Sequence, residues 1–144
     1  MNRIVVFGAA GKAGSRVVVE AAGRGHQVTA IARDVDALTA LPEGVRAIAG
    51  DVTDPRTVAA VADDADALVL TVGGPDPALY TDAVATAAAA VRALGPAGPR
   101  VIHMGGGASG DDGEARISYE DYAAALVDEI DEPRHLNRRF TVGC

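Results

Sequence analysis

Cysteine, lysine and aromatic residues are scarce in this chain of 144 residues, and each scarcity excludes something. The single cysteine, Cys144, excludes an intrachain disulfide framework and a multi-cysteine zinc site. Tryptophan is absent and aromatics make up 3%, so the core has to be assembled from small aliphatic side chains; thirty residues are alanine. Thirteen basic against twenty acidic side chains leave a net charge of −7, which argues against an electrostatic grip on nucleic acid or an anionic membrane. No apolar run reaches the roughly 18 residues of a membrane helix, and no charged segment precedes a short apolar one as in a secretory leader. The expectation is a soluble, cytoplasmic protein with no nucleic-acid or membrane partner. Of the basic residues twelve are arginine, and the one lysine is Lys12.

The remaining composition, 49% apolar and 23% charged, suits one globular domain spanning 1–144. Ile4-Val5-Val6-Phe7, a β-branched run stopped by Gly8, reads as a strand buried on both faces. Helical spacing follows from Gly11 to Ala22, with Val17, Val18, Ala21 and Ala22 on one side. Then come a strand at Val28–Ala32, a short helical turn near Val35–Leu41 and a strand at Val45–Ala49. A helix at Pro55–Ala62 has Asp54 as its N-cap and Pro55 at its first position. A strand at Ala67–Val72, a long helix at Ala78–Leu94 and a strand at Val101–Met104 complete the alternation. This rhythm specifies a doubly wound α/β domain: a parallel sheet of about five strands with helices on both faces.

Past residue 104 the rhythm breaks. Five of the nine residues from Gly105 to Gly113 are glycine, so 105–115 reads as a connection without a core face. The C-terminal segment 116–144 carries a helix capped by Ser118 and running to about Asp131, with a last short strand at Phe140-Thr141-Val142. Asp63-Asp64-Asp66 and Asp111-Asp112 read as solvated acidic turns, and His26 and His135 show no metal-ligand spacing.

Gly8-Ala9-Ala10-Gly11-Lys12-Ala13-Gly14 lies where the first strand hands over to the first helix, the context a dinucleotide-binding loop requires. Gly8 permits the tight turn, Gly11 lets backbone approach a pyrophosphate, and Gly14 allows close packing of helix on strand. The helix N-terminus then faces the phosphates with unpaired N–H groups. At the end of the second strand, where an NAD site places an acid, stands Arg33, nineteen residues after Gly14. Its charged fork suits a 2′-phosphate, so NADP(H) is favoured over NAD(H), although Asp34 follows directly.

These residues, with Gly50-Asp51-Val52, Tyr80 and the tail segments Arg116 to Ala123 and Arg139 to Gly143, resemble the atypical short-chain dehydrogenase/reductase group. The likeness is to its NAD(P)H-binding, NmrA-like and biliverdin-reductase-B-like members, which implies a Rossmann-like fold. It also implies that Asp51 and Val52 sit at the adenine ring, and that Thr71, Val72 and Gly73 line the nicotinamide side. His103-Met104-Gly105 would approach the nicotinamide ribose and a small-molecule substrate. Members of the group are longer between the fifth strand and the C-terminal segment, so the substrate half of this chain is reduced. A homodimer, or swapped C-terminal segments, is expected to cover the sheet edge this leaves.

The group's usual mechanism pairs a tyrosine with a lysine four residues on. Here Tyr80, Tyr119 and Tyr122 are followed at that spacing by Val84, Ala123 and Leu126, so the pair is absent. His103 remains as a proton donor or, equally, a packed strand-end residue; Tyr80 could bind a phosphate or substrate, or cap its helix. Ser109 has no identifiable activating base. Three functions stay open: an NADPH-dependent oxidoreductase of a small organic metabolite, a non-redox isomerase or cyclase on the same fold, and a non-catalytic NADP sensor or partner-binding regulator.

Overall fold

Five short apolar segments pair side by side in a computed structural model that describes residues 2–71, 77–95, 98–103 and 119–132. They are β1 (Arg3–Phe7), β2 (Gln27–Ala32), β3 (Arg46–Ala49), β4 (Ala67–Leu70) and β5 (Arg100–His103). All neighbours are parallel and the order is β3-β2-β1-β4-β5. Parallel neighbours need crossovers, which α1 (Lys12–Gly23), α2 (Pro55–Ala62) and α3 (Pro77–Leu94) supply, with a 3-10 turn at Val35–Ala37. A fourth helix, α4 (Tyr119–Asp131), follows β5. The chain winds outward from β1 to β3 and then returns to β4, so the winding reverses between β1 and β4. Crevices at such a reversal are where open α/β sheets bind ligands.

Strand alternation divides the core. Ile4, Val6, Val28, Ala30, Val69 and Ile102 face α1 and α4, whereas Val5, Phe7, Ile31, Leu68 and Leu70 face α2 and α3. Small side chains on the helices let them lie close: Val17, Val18 and Ala21 of α1, and Ala83 and Ala87 of α3, are fully covered. Along α4, Ala123, Leu126, Val127 and Ile130 fall at positions i, i+3, i+4 and i+7 and form its buried stripe.

Charged contacts fix α4 in place. The Arg24 guanidinium, at the C-cap of α1, donates to Glu20 and Asp128 at 2.7 Å, to Asp131 at 3.0 Å and to the Ala124 carbonyl at 3.2 Å. Partial burial opposes the charge, but hydrogen bonds to Glu20, Asp128 and Asp131 outweigh it and raise the Arg24 pKa. Arg100, at the start of β5, bonds the Glu129 carboxylate at 2.6 Å and the Glu129 carbonyl at 2.7 Å. His26 is almost buried: its Nδ1 accepts from the Asn2 amide at 3.0 Å, and its Nε2 lies 2.7 Å from Asp131.

Several sequence expectations need adjustment. The turn after β2 is a 3-10 turn ending at Ala37 rather than a helical segment reaching Leu41. β4 ends at Leu70 and β5 starts at Arg100, each shifted from the expected bounds. Asp66 is more than a solvated turn residue. Its carboxylate accepts from the Arg3 amide at 2.8 Å, its own amide donates to the Arg3 carbonyl at 2.8 Å, and its carbonyl accepts from Arg100 at 3.0 Å. It therefore stitches together the starts of β1, β4 and β5. Ser118 as a cap, the glycine-rich connection and the expected strand at Phe140–Val142 lie outside the described residues.

Candidate functional site

Gly8 leaves β1 with φ +78°, a left-handed conformation that glycine adopts without steric cost. The amides of Gly8 and Ala9 both donate to the Ile31 carbonyl at 3.1 Å, which ties the turn to the end of β2. Gly11 donates to the Gly8 carbonyl at 3.0 Å and serves as N-cap of α1. Because Gly11 has no side chain, no side-chain cap covers the N–H groups of the first turn. The cap of α2, in contrast, is Asp54, whose carboxylate accepts from Arg56 at 3.0 Å. Ala10, Gly11 and Lys12 are exposed, whereas Ala13 and Gly14 turn inward.

Closeness explains the inward turn at Gly14. A Cβ there would collide with the Gly8 carbonyl oxygen and would lie 2.6 Å from the Thr71 hydroxyl. Thr71, buried just past β4, donates that hydroxyl to the Phe7 carbonyl at 2.7 Å, and its oxygen lies 3.3 Å from the Gly8 carbonyl. Its amide also donates to Phe7, at 3.1 Å. Thr71 thus clasps the carboxyl ends of β1 and β4 to the loop, a role that spacing did not reveal.

Arg33 and Asp51 stand at the ends of β2 and β3, which the Gly50 amide joins by donating to the Ala32 carbonyl at 2.9 Å. One oxygen of Asp51 accepts from the amide of Thr53 at 2.9 Å and from its hydroxyl at 2.8 Å. These two bonds, followed by the nearby positive charge of Arg33, hold the Asp51 carboxyl below its ordinary pKa against the opposing effect of partial burial. Arg33 is exposed. The neighbouring Asp34 carboxylate accepts from the Asp36 amide at 3.0 Å and so caps the 3-10 turn. Val52 packs into the core on the α2 side.

His103 is exposed at the carboxyl end of β5, paired in register with Leu70. By strand parity it shares the α3 side with Val101. Tyr80 falls within the first turn of α3, and its side chain lies outside the described set, as do Val72, Gly73, Met104, Gly105 and Ser109. The glycine loop, Arg33, Asp51, Thr71 and His103 therefore gather along the carboxyl ends of the strands. Thr53 was missed in the sequence, although an acid two residues before a threonine is a side-chain-capped turn signal. Among the described residues no three metal-ligating side chains cluster, and no helix is long and apolar enough to cross a membrane.

Known proteins of the same design are numerous. A protein from Burkholderia pseudomallei superposes with a TM-score of 0.76 at 25% identity, covering 94% of this chain and 96% of its own. SP1627 of Streptococcus pneumoniae, provisionally assigned as an NADH-flavin reductase, superposes with a TM-score of 0.56 at 20% identity, covering 94% and 95%. The uncharacterized protein YwnB of Bacillus subtilis is 57% identical over 30 residues, which is 21% of this chain and 14% of YwnB. Residues 8–126 match the model of a family described as NAD(P)H-binding, from the first glycine of the loop to the buried face of α4. The chain belongs to the NAD(P)H-binding family.

Proposed function

We propose that the protein is an NADPH-dependent oxidoreductase that reduces a small planar acceptor without a tyrosine–lysine pair. The observation that carries the NADPH preference is the division of labour after β2. One carboxylate oxygen of Asp34 is engaged in capping the 3-10 turn, and Arg33 is an exposed cation close enough to Asp51 to lower its pKa. A guanidinium there suits a 2′-phosphate, whereas a free carboxylate would repel it.

The site fits a dinucleotide in its backbone as well. The first turn of α1 carries no side-chain cap, which leaves donors for a pyrophosphate, and Lys12 adds a positive charge beside them. The bound cofactor supplies hydride. Gly8 and Gly14 keep the ends of β1 and α1 in close contact, Gly11 would let the backbone approach the phosphates, and Asp51, fixed by Thr53, would present an acceptor toward the adenine side. His103 is the candidate proton source at the β5 end. Flavin- or quinone-like acceptors demand little acid catalysis, so the reaction tolerates a chain in which the only lysine is in the phosphate loop.

That missing pair also favours a second reading, a non-catalytic NADP-dependent regulator. Turnover separates the two. Loss of NADPH absorbance in the presence of a free flavin or a quinone is expected for the first. Binding without oxidation across a panel of such acceptors would support the second.

A further inference from the structure

A cleft of about 730 Å³ opens beside α2, along the amino halves of β1 and β2 and the length of β3, and none of the glycine loop lines it. Its origin is geometric. α2 has 8 residues, so it is only about 12 Å long, and the cleft lies between it and the strands β1, β2 and β3. Register sets the floor: Val5, Thr29 and Arg46 form one row across β1, β2 and β3, and Arg3 pairs with Gln27 in the row below. By alternation all five share the face of Val5, which is the α2 side. The flank of α2 supplies Thr57, Ala60 and Val61, at i, i+3 and i+4, and the turn after it supplies Asp64.

Charge distinguishes this cleft from an ordinary surface groove. Arg3 and Arg46 begin β1 and β3, and their Cα atoms lie roughly 12 Å apart by strand spacing and rise. Neither guanidinium makes an ion pair among the described residues, in a chain whose net charge is −7. Asp64 is the one acid of the lining, so the rim is net positive. Between the arginines the walls are apolar, built from Val5, Ile48, Ala60 and Val61. Small-ligand sites combine this size range with apolar walls and a few charged groups.

We propose that this cleft is a second ligand site, separate from the dinucleotide loop, for a small amphipathic anion with an apolar body and one carboxylate or sulfonate group. The anionic group sits between Arg3 and Arg46, and the body lies along Ala60 and Val61. The proposal does not depend on the cofactor reading.

The test uses 8-anilinonaphthalene-1-sulfonate as the probe, titrated into the full chain with and without saturating NADPH. Binding that NADPH leaves in place is expected, with affinity falling at least tenfold in the R3Q/R46Q double variant. An independent variant, A60E, places a carboxylate on an exposed position of α2 and should weaken the probe to a similar degree. Far-UV circular dichroism and the thermal midpoint report whether each variant is folded. No binding to the wild-type chain, complete displacement by NADPH, or equal affinity in the folded variants would each overturn the proposal. The arginine and A60E arms decide the matter even if NADPH itself does not bind.

Discussion

A Cβ atom on residue 14 would overlap the carbonyl oxygen of Gly8, so the start of α1 and the end of β1 touch backbone to backbone. Relief would require moving the phosphate loop off the Thr71 hydroxyl, 2.6 Å from the same Cβ position. Gly14→Ala should therefore destabilise the fold by more than about 2 kcal/mol in urea denaturation, in the range of strained or overpacked core substitutions. Gly23, the last residue of α1, has nothing within 4 Å of its Cβ position. Gly23→Ala should be neutral or stabilising by up to about 1 kcal/mol. Equal effects at the two sites would contradict the close approach.

Thr71→Val keeps shape but removes the hydroxyl that reaches Phe7 and Gly8. Each carbonyl keeps an amide donor, from Thr71 and Gly11, so the loss should cost about 0.5–1.5 kcal/mol of stability. A variant as stable as wild type by thermal melting would show that the clasp contributes nothing.

Arg100→Ala leaves the buried Glu129 carboxylate without its guanidinium at 2.6 Å. Breaking such a pair from one side should cost about 3–5 kcal/mol, whereas Arg24→Ala, at a more exposed network, should cost less. Chemical denaturation of the two variants ranks them directly.

The Asp51 carboxyl is depressed mainly by its two bonds from Thr53. A depressed folded pKa adds stability that is present above the ordinary carboxylate value of 3.8 and is lost as pH falls through the folded value. The stability gap between wild type and Asp51→Asn should thus be flat from pH 5 to 7, to within about 0.5 kcal/mol, and should close in acid below about pH 4. In Thr53→Ala the carboxyl should titrate nearer the ordinary range by NMR. An unchanged titration would remove the Thr53 hydroxyl as a cause and leave its amide, which the substitution keeps.

Much of this architecture was legible because it rests on local patterns. Buried parallel strands read as continuous apolar runs, and Asp54-Pro55 announced α2 at the observed residues. The glycine spacing placed the loop and the helix start. Long-range partners were not legible. Asp66 looked like one acid among several, and only the pairing of β1, β4 and β5 gives its carboxylate and backbone their bonds to Arg3 and Arg100. Thr71 was expected to face a ligand, but its hydroxyl turns to the backbone because β4 ends beside Gly8. The cleft beside α2 is formed by residues of three strands and a helix that are distant in sequence, which spacing alone does not bring together.

In the proposed function the ends of β1 and β2 bind NADPH, with Arg33 on the 2′-phosphate. Calorimetric titration of the protein with NADPH and NADH, beside Arg33→Ala, tests it most directly. NADPH should bind the wild-type chain more tightly than NADH. The variant should lose about 1.5–3 kcal/mol for NADPH, typical of a charged hydrogen bond, with NADH affinity unchanged. Binding of neither dinucleotide, or an NADPH preference that survives the loss of Arg33, would contradict it.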